Sequence, residues 1–299
     1  LLQAAAEETG VALEDLRTEG GAVITPDGRR LPYVALAAAA ATQRARGDIA
    51  LKDPAHWRLL GKPMQRADIV AKSTGASVYG IDLRLPGMLY ATVRAHPRHG
   101  GTVVRFDAAA AQAARGVIKV VPITGGVGVI ADNTWRAFRA AALLDITWSD
   151  VAAPATTAEI AAGIASSFTD EHRDSRLRND GDVDDVLAAG TPAVDAEYRV
   201  PFLAHAPLEP MNATALRRGD TLEIWTGTQV PLFAVNVVAK VVGLDASQIR
   251  LHELMSGGSF GRRLEVDFIV QAAELAMAHP DVPIKMTWTR EEDFAHDFP

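Results

Sequence analysis

The sequence predicts an α+β chain on three observations. Strand-like and helix-like segments alternate between Met88 and Trp148, and the same mixture returns from Ala193 onward. With 48% hydrophobic and 22% charged residues, the chain has the apolar material for a globular core. Its 299 residues allow two domains of ordinary size or one large one. No apolar run is long enough to span a bilayer. The formal net charge of -7, with no basic face in the sequence, argues against a general nucleic-acid binder.

The elements follow in order. "LLQAAAEETG" reads as the second half of an amphipathic helix closing on Gly10, with no initiator Met before it, so the sequence is expected to begin inside a larger protein. Leu16 to Tyr33 reads as a hairpin turning at "TPDGR", and the Ala-rich run Val34 to Ala45 as a helix. Gly47 to Ser77 carries Pro54, Pro63 and no sustained period, which predicts an extended connector. "MLYATVRA", "TVVRFD", "GVIKVVPI", "VGVIAD" and "DITWSD" read as strands, "AAAAQAA" as a short helix, and "NTWRAFRAAALL" as a helix capped by Asp132 or Asn133. A short helix near Ala158 to Ser166 leads into "DEHRDSRLRNDGDVDDVLAAG", a charged linker. "AVDAEYRV" reads as a strand, and "RRGD" as the turn between two more. Pro231 to Val242 has helical spacing and stops at Gly243, and "QIRLHELM" alternates again, completing a βαβ run. The expected divisions are residues 1–65, 66–150, a linker over 151–192, and 193–299.

There is no cysteine, which excludes disulfides, Cys-ligated iron–sulfur clusters and thiolate zinc sites. A metal would have to be held by His or carboxylates, or arrive with a cofactor that carries its own ligands. The eight histidines show no HExxH spacing, and His96 and His99, with Pro97 between them, read as surface residues near a turn.

The chemistry concentrates in "SGGSFGRR", Ser256 to Arg263, between the last strand of the βαβ run and apolar residues that fall on one helical face from Val266. A helix is expected to begin near Gly261 to Leu264, so that loop amides and the helix N-terminus could hold an anion. Arg262 and Arg263 would then sit at the positive end of the helix dipole, a cost that a neighbouring negative group would remove. That group could be a bound phosphate or, in part, Glu265 and Asp267. The spacing matches neither GxxxxGK[ST] nor GxGxxG. Spacing alone leaves open an anion-binding loop, as in a phosphate- or nucleotide-binding module without redox chemistry, and a turn that serves packing only. Phe260 is open between the same two readings, since a Phe inside such a loop is usually core.

"SGGSFGRRLEVDFIVQAAELA" resembles the GGGFGRR loop and following helix of the large, molybdopterin-binding subunit of molybdenum hydroxylases of the xanthine dehydrogenase and aldehyde oxidase superfamily, specifically isoquinoline 1-oxidoreductase β-subunits and related aldehyde dehydrogenases. Three further segments agree in order: "LKDPAHWRLLGKPMQRADIVAKSTGASVYGIDLRLPGMLYATV", "HAPLEPMNATA" as the H-x-x-x-E-P segment, and "WTGTQVP" as the T-Q-x-P segment. The resemblance implies an α/β-hammerhead domain over 66–150 and the first part of a molybdopterin-binding domain over 193–299. It implies that Gly257, Gly258, Ser259, Phe260 and Gly261 hold a molybdopterin, in the cytosine dinucleotide form, whose own dithiolene grips the molybdenum. Gln229 would bond a ligand of the metal. Arg262 and Arg263 would face the cofactor's phosphates or a neighbouring acidic group, and His205 and Glu209 would line a substrate funnel. Ser259 replaces the family's third glycine, which requires an ordinary φ there. From spacing alone Gln229 also reads as a polar cap on the Pro231 helix.

The resemblance further implies an oxidoreductase that hydroxylates small aldehydes or N-heterocycles and passes electrons to a separate small [2Fe-2S] subunit. The family's catalytic Glu lies downstream of the segment matched here. The chain is therefore expected to be an inactive fragment that needs the remainder of its own large subunit. Glu265 and Asp267 are better read as stabilising the early turns of their helix than as a substitute base. The family's frequent twin-arginine export makes a periplasmic parent one expectation and a cytoplasmic one the other.

Overall fold

The computed structural model describes residues 1–298 apart from 45, 46, 48, 50, 153, 155, 176, 179 and 191–193. The chain divides into two compact units, residues 1–67 and 68–299.

In the first unit, α1 (Leu2–Thr9) ends as expected on Gly10, whose φ of 71° is the left-handed conformation that lets the chain leave a helix. The expected hairpin is instead a three-stranded antiparallel meander, β1 (Arg17–Glu19), β2 (Ala22–Ile24) and β3 (Arg30–Pro32). A Gly20–Gly21 turn, both residues at positive φ, adds the third strand. Helix α2 (Tyr33–Ala41) follows. The Ala45 expected to close it lies outside the described residues. Ala5, Leu16, Val23, Leu31 and Leu36 make a small core of their own.

In the second unit, α3 (Ile69–Ser73) precedes β4 (Leu89–Ala95), β5 (Val103–Asp107), α4 (Ala109–Gln112), β6 (Val117–Ile123), β7 (Gly126–Ala131), α5 (Thr134–Ala141) and β8 (Asp145–Trp148). The cap of α5 is Asn133, whose side chain accepts the Arg136 N–H at 2.9 Å. Helix α6 (Thr157–Ser166) opens with a Thr156/Glu159 capping box. A second helix, α7 (Val183–Ala189), lies where only a charged linker was expected. Residues 194–211, expected to include a strand over "AVDAEYRV", have no regular structure, and the Ala193 that opens that segment lies outside the described residues. Then follow β9 (Asn212–Arg218), β10 (Thr221–Thr226), α8 (Pro231–Val242), β11 (Ile249–Glu253), α9 (Asp267–Ala278), β12 (Ile284–Thr287) and α10 (Arg290–Ala295).

Seven strands form one sheet in the order β11-β10-β9-β12-β4-β7-β6. It draws β4, β6 and β7 from residues before the linker and the rest from residues after it, joined by the parallel pairing of β12 with β4. One sheet face, with Ala91, Val93, Ala213, Ile224 and Met286, packs on α9, whose buried Phe268, Ile269 and Leu275 complete the main core. The opposite face is covered near β7 by α4 and α5, through Ala111, Val129, Ala140 and Ala141. Burying this many aliphatic side chains, at about 1.5–3 kcal/mol each when fully covered, makes the sheet a rigid base for what its strand ends carry.

Where β4 pairs with β7, a Cβ on Gly126 would lie 2.4 Å from the Arg94 carbonyl oxygen and 2.9 Å from the Ala95 Cα, both backbone atoms that cannot swing aside. Gly126→Ala should lower the unfolding free energy by about 2 kcal/mol, in the range for overpacked sites. A urea midpoint unchanged from wild type would contradict this placement of the strands.

Candidate functional site

Strand polarity gathers the site. Strands β10 and β11 run parallel, so the segments leaving their carboxyl ends, Gly227–Gln229 and Ser256–Arg263, lie side by side. Strand β9 is antiparallel to both β10 and β12, so the segment entering β9, residues 205–211, and the one leaving β12, residues 288–298, reach the same end of the sheet. Ligands in open sheets characteristically sit outside such carboxyl ends.

The glycine loop does not run into α9. A single 3-10 turn, Arg262–Leu264, intervenes, and α9 starts only at Asp267. The two arginines are therefore not in the first turn of an α-helix, and the dipole cost expected for them does not arise. Both side chains are fully buried. Arg263 donates from Nε to the Gly258 carbonyl at 2.9 Å, from Nη1 to the Gly227 carbonyl at 3.1 Å, and from Nη2 to the Glu209 carboxylate at 2.8 Å. Burial pushes the Arg263 guanidinium below its ordinary value, and the adjacent Glu209 opposes that shift. Arg262 makes a two-pronged contact with Asp267 at 3.2 and 2.9 Å, and its Nε lies 3.7 Å from Asp297. Its guanidinium carbon stands 5.3 Å from the centroid of the buried Trp288 ring.

Glu209 is 7% exposed and accepts four donors. Oε1 takes the Ile81 N–H at 2.9 Å and the Asn212 amide at 3.0 Å; Oε2 takes the Gly257 N–H at 2.7 Å and Arg263. His205 has its Nδ1 2.7 Å from Asp297, so Nδ1 carries the proton and Nε2 is left toward Gly261, where an added Cβ would meet it at 2.9 Å. Gln229 is not a helix cap: α8 begins after Val230 without a side-chain cap, and the Gln229 Oε1 accepts the Gly261 N–H at 3.2 Å. Gln229 is otherwise exposed.

Within the loop, Gly258 has φ 108°, Gly261 φ 113° and Phe260 φ 56°, whereas Ser259 keeps an ordinary φ and so tolerates its side chain. Phe260 is 75% exposed, which removes the core-residue alternative for it. Among the described residues, no protein acceptor takes the N–H of Gly258, Ser259 or Phe260. Beside them opens a cleft of about 630 Å³ lined in part by Tyr79, Asp82, Leu208, Glu209, Gly257 and Gly258.

All ten sequence-derived site residues thus meet in one connected cluster. Sequence reasoning did not single out Asp297, Asn212, Gly227 or Lys285, although Asn212 and Gly227 lie inside the quoted "HAPLEPMNATA" and "WTGTQVP" segments. Gly227 is required because a Cβ there would fall 2.5 Å from the Ser256 Oγ and 3.1 Å from its Cα. It also placed His96 on the surface, whereas His96 is 5% exposed, with ring nitrogens 2.9 Å from the Arg98 and Ser149 carbonyls. Among the described residues no group of three or more His, Asp or Glu is arranged to hold a metal ion, and no helix is long and apolar enough to cross a membrane.

Residues 167–298, which contain this whole cluster apart from the turn near Ile81, match the molybdopterin cofactor-binding domain family. The second unit therefore contains a molybdopterin-binding domain. The chain is 32% identical over 260 residues to the β-subunit of isoquinoline 1-oxidoreductase from Brevundimonas diminuta, covering 83% of this chain and 33% of that protein. It is 30% identical over 303 residues to a nicotinate dehydrogenase subunit of Pseudomonas putida, covering 98% of this chain and 25% of that protein. The aldehyde oxidoreductase structure from Desulfovibrio desulfuricans superposes with a TM-score of 0.63 at 19% identity, over 87% of this chain and 34% of that one. The quinoline 2-oxidoreductase structure from Pseudomonas putida superposes with a TM-score of 0.60 at 22% identity, over 78% and 35%. Residues 167–298 belong to the molybdopterin cofactor-binding domain family, and the chain is similar along most of its length to part of these oxidoreductase and dehydrogenase subunits. It spans between a quarter and two-fifths of the length of the first curated relatives it matches.

Lys285, on the opposite sheet face from Ile284 and Met286, donates to the carbonyls of Ile81 and Leu83 at 2.6 and 2.5 Å and so pins the turn whose N–H reaches Glu209. Burial pushes its ammonium down from 10.5 to about 8, with Arg84 adding repulsion. Between those values the unfolded chain binds the extra proton, so raising pH favours the fold, and below about 8 the fold carries the full cost of the buried charge. Stability of wild type relative to Lys285→Met should therefore rise from pH 8 to pH 10 in urea titrations at fixed pH. A flat or falling difference would contradict the burial of this ammonium.

Proposed function

We propose that this chain supplies molybdopterin-holding residues to an oxidoreductase that hydroxylates small aldehydes or N-heterocycles. The observation that carries the reading is the run of unclaimed amides at Gly258, Ser259 and Phe260 beside an open cleft, inside the stretch that matches the cofactor-binding family. The residues fit such a group. Backbone N–H groups in a glycine-bent loop suit an anionic ligand that brings its own metal, and the chain offers no metal ligand set of its own among the described residues.

Gly257, Gly258 and Gly261 give the loop its close approach, and the amides of Gly258 to Phe260 donate to the cofactor. Phe260, held out at positive φ, packs against it, and the Gln229 Nε2 donates to it while Oε1 fixes Gly261. His205 stands with its Nε2 at the rim of the loop, available to substrate. When bound, the molybdenum cofactor supplies the two-electron oxidation, and the protein contributes binding, orientation and hydrogen-bond donors. The cytosine dinucleotide form, a separate [2Fe-2S] subunit as electron acceptor, and a hammerhead assignment for residues 66–150 belong to the same reading. They are supported by the resemblance of the quoted segments.

The test is cofactor retention. The chain, produced in a host that makes molybdopterin, should co-purify with pterin detectable by fluorescence after oxidation. Gly258→Val, which puts a branched side chain at φ 108°, should cut the retained pterin about tenfold, equivalent to roughly 1.4 kcal/mol of binding. Wild-type chain devoid of pterin under those conditions would sink the assignment.

A further inference from the structure

Glu209 and Arg263 sit where the resemblance puts substrate- and cofactor-facing groups, yet their polar atoms are already taken. The Arg263 fork is divided among three backbone carbonyls and one carboxylate, with its side chain fully buried. The Glu209 carboxylate is divided among two backbone N–H groups, an Asn amide and that same fork. The Arg263 Nη2 also reaches the Glu209 carbonyl at 3.2 Å, and the Glu209 N–H donates to the Gly257 carbonyl at 3.0 Å. Gly257 is thus held on both its N–H and its C=O by one residue, and Gly258 is held on its C=O by the other.

From this we infer that Glu209 and Arg263 are positioning residues: a buried ion pair that clamps Gly257 and Gly258, which line the cleft, and so holds the loop whose amides from Gly258 to Phe260 stay unclaimed. Both act through the loop, because their polar atoms are already committed to it, even though Glu209 also lines the cleft. The inference rests on the functional reading above for what the loop binds, but not for the clamp itself. A planar fork is essential to it, since one guanidinium meets the Gly258 carbonyl, the Gly227 carbonyl and Glu209 in three directions. A lysine would restore the charge and not the fork. This separates a clamp from a charge that attracts phosphate: lysine would serve the second role and fail in the first.

Arg263→Lys and Glu209→Gln, in the full chain, are read two ways. The first is amide hydrogen exchange at Gly257, followed by NMR with no ligand present. Both variants should speed it tenfold or more, while amides in the centre of α9 keep their protection. The second is pterin retention, which both variants should lower by a similar factor although Arg263→Lys keeps the positive charge. Unchanged exchange at Gly257 overturns the clamp. Pterin retention preserved in Arg263→Lys overturns it too, because a charge alone would then suffice. Should Arg263→Lys fail to fold, Glu209→Gln, which keeps shape and one acceptor for the Gly257 N–H, decides by the same two readouts. Loss of all pterin binding in wild type would remove the functional reading, and the exchange arm would still decide the clamp.

Discussion

A buried guanidinium is tolerable only when its N–H groups find acceptors and its charge finds a partner, and the architecture of this site follows from satisfying Arg263. Its acceptors come from segments far apart in sequence: Gly258 in its own loop, Gly227 after β10, and Glu209 before β9. Each reaches it because the sheet turns the ends of those strands the same way. The pair is weak evidence for stability, since the desolvation of both ions offsets much of their attraction. Its effect is on geometry: few arrangements satisfy every donor and acceptor at once, so the loop has one shape.

Arg262 makes the same kind of demand in the other direction. It ties the 3-10 turn to Asp267 at the start of α9 and lies near Asp297 beyond α10, over the Trp288 ring. Asp297 in turn fixes the His205 ring. Two consecutive arginines thus anchor the loop to opposite neighbours, and the residues between Gly257 and Gly261 are held at both ends. Lys285 extends the support, since the turn it grips carries the Ile81 N–H that completes the Glu209 carboxylate.

Local signals were legible in the sequence, and long-range ones were not. Gly243 in the left-handed conformation, Asn133 capping α5, Pro231 opening α8 and the parallel β10-α8-β11 unit all follow from rules that act within a few residues. The pairing of β12 with β4 obeys no local rule, because it joins strands separated by the whole linker. The site divides the same way. The positions of Gly257 to Arg263 and Gln229 could be picked out by motif, but the direction of each side chain could not. Arg262 and Arg263 read as first-turn residues facing a phosphate or an acidic group; Asp267, the partner of Arg262, lies near enough in sequence to be named, whereas Glu209, the partner of Arg263, lies far away. "AVDAEYRV" alternates as a strand should, yet alternation marks only the capacity to pair, and no neighbour in the described structure pairs with it.

The charge arrangement has a consequence for how an anion would be recognised. Arg262 and Arg263 are matched within the protein by Glu209, Asp267 and Asp297, so little of their charge is left to attract a ligand. Recognition then rests on neutral N–H groups in a bent loop, whose donors act at contact distance and fall off quickly beyond it. Such a site discriminates by shape and by the placement of acceptor atoms more than by net charge. It would be less sensitive to ionic strength than one built from exposed arginines, since screening acts chiefly on charges that face solvent. The requirement for a fixed loop is correspondingly strict, because a neutral donor displaced by an ångström has no long-range field to compensate. That strictness is a physical reason for a fold to bury two arginines behind three glycines.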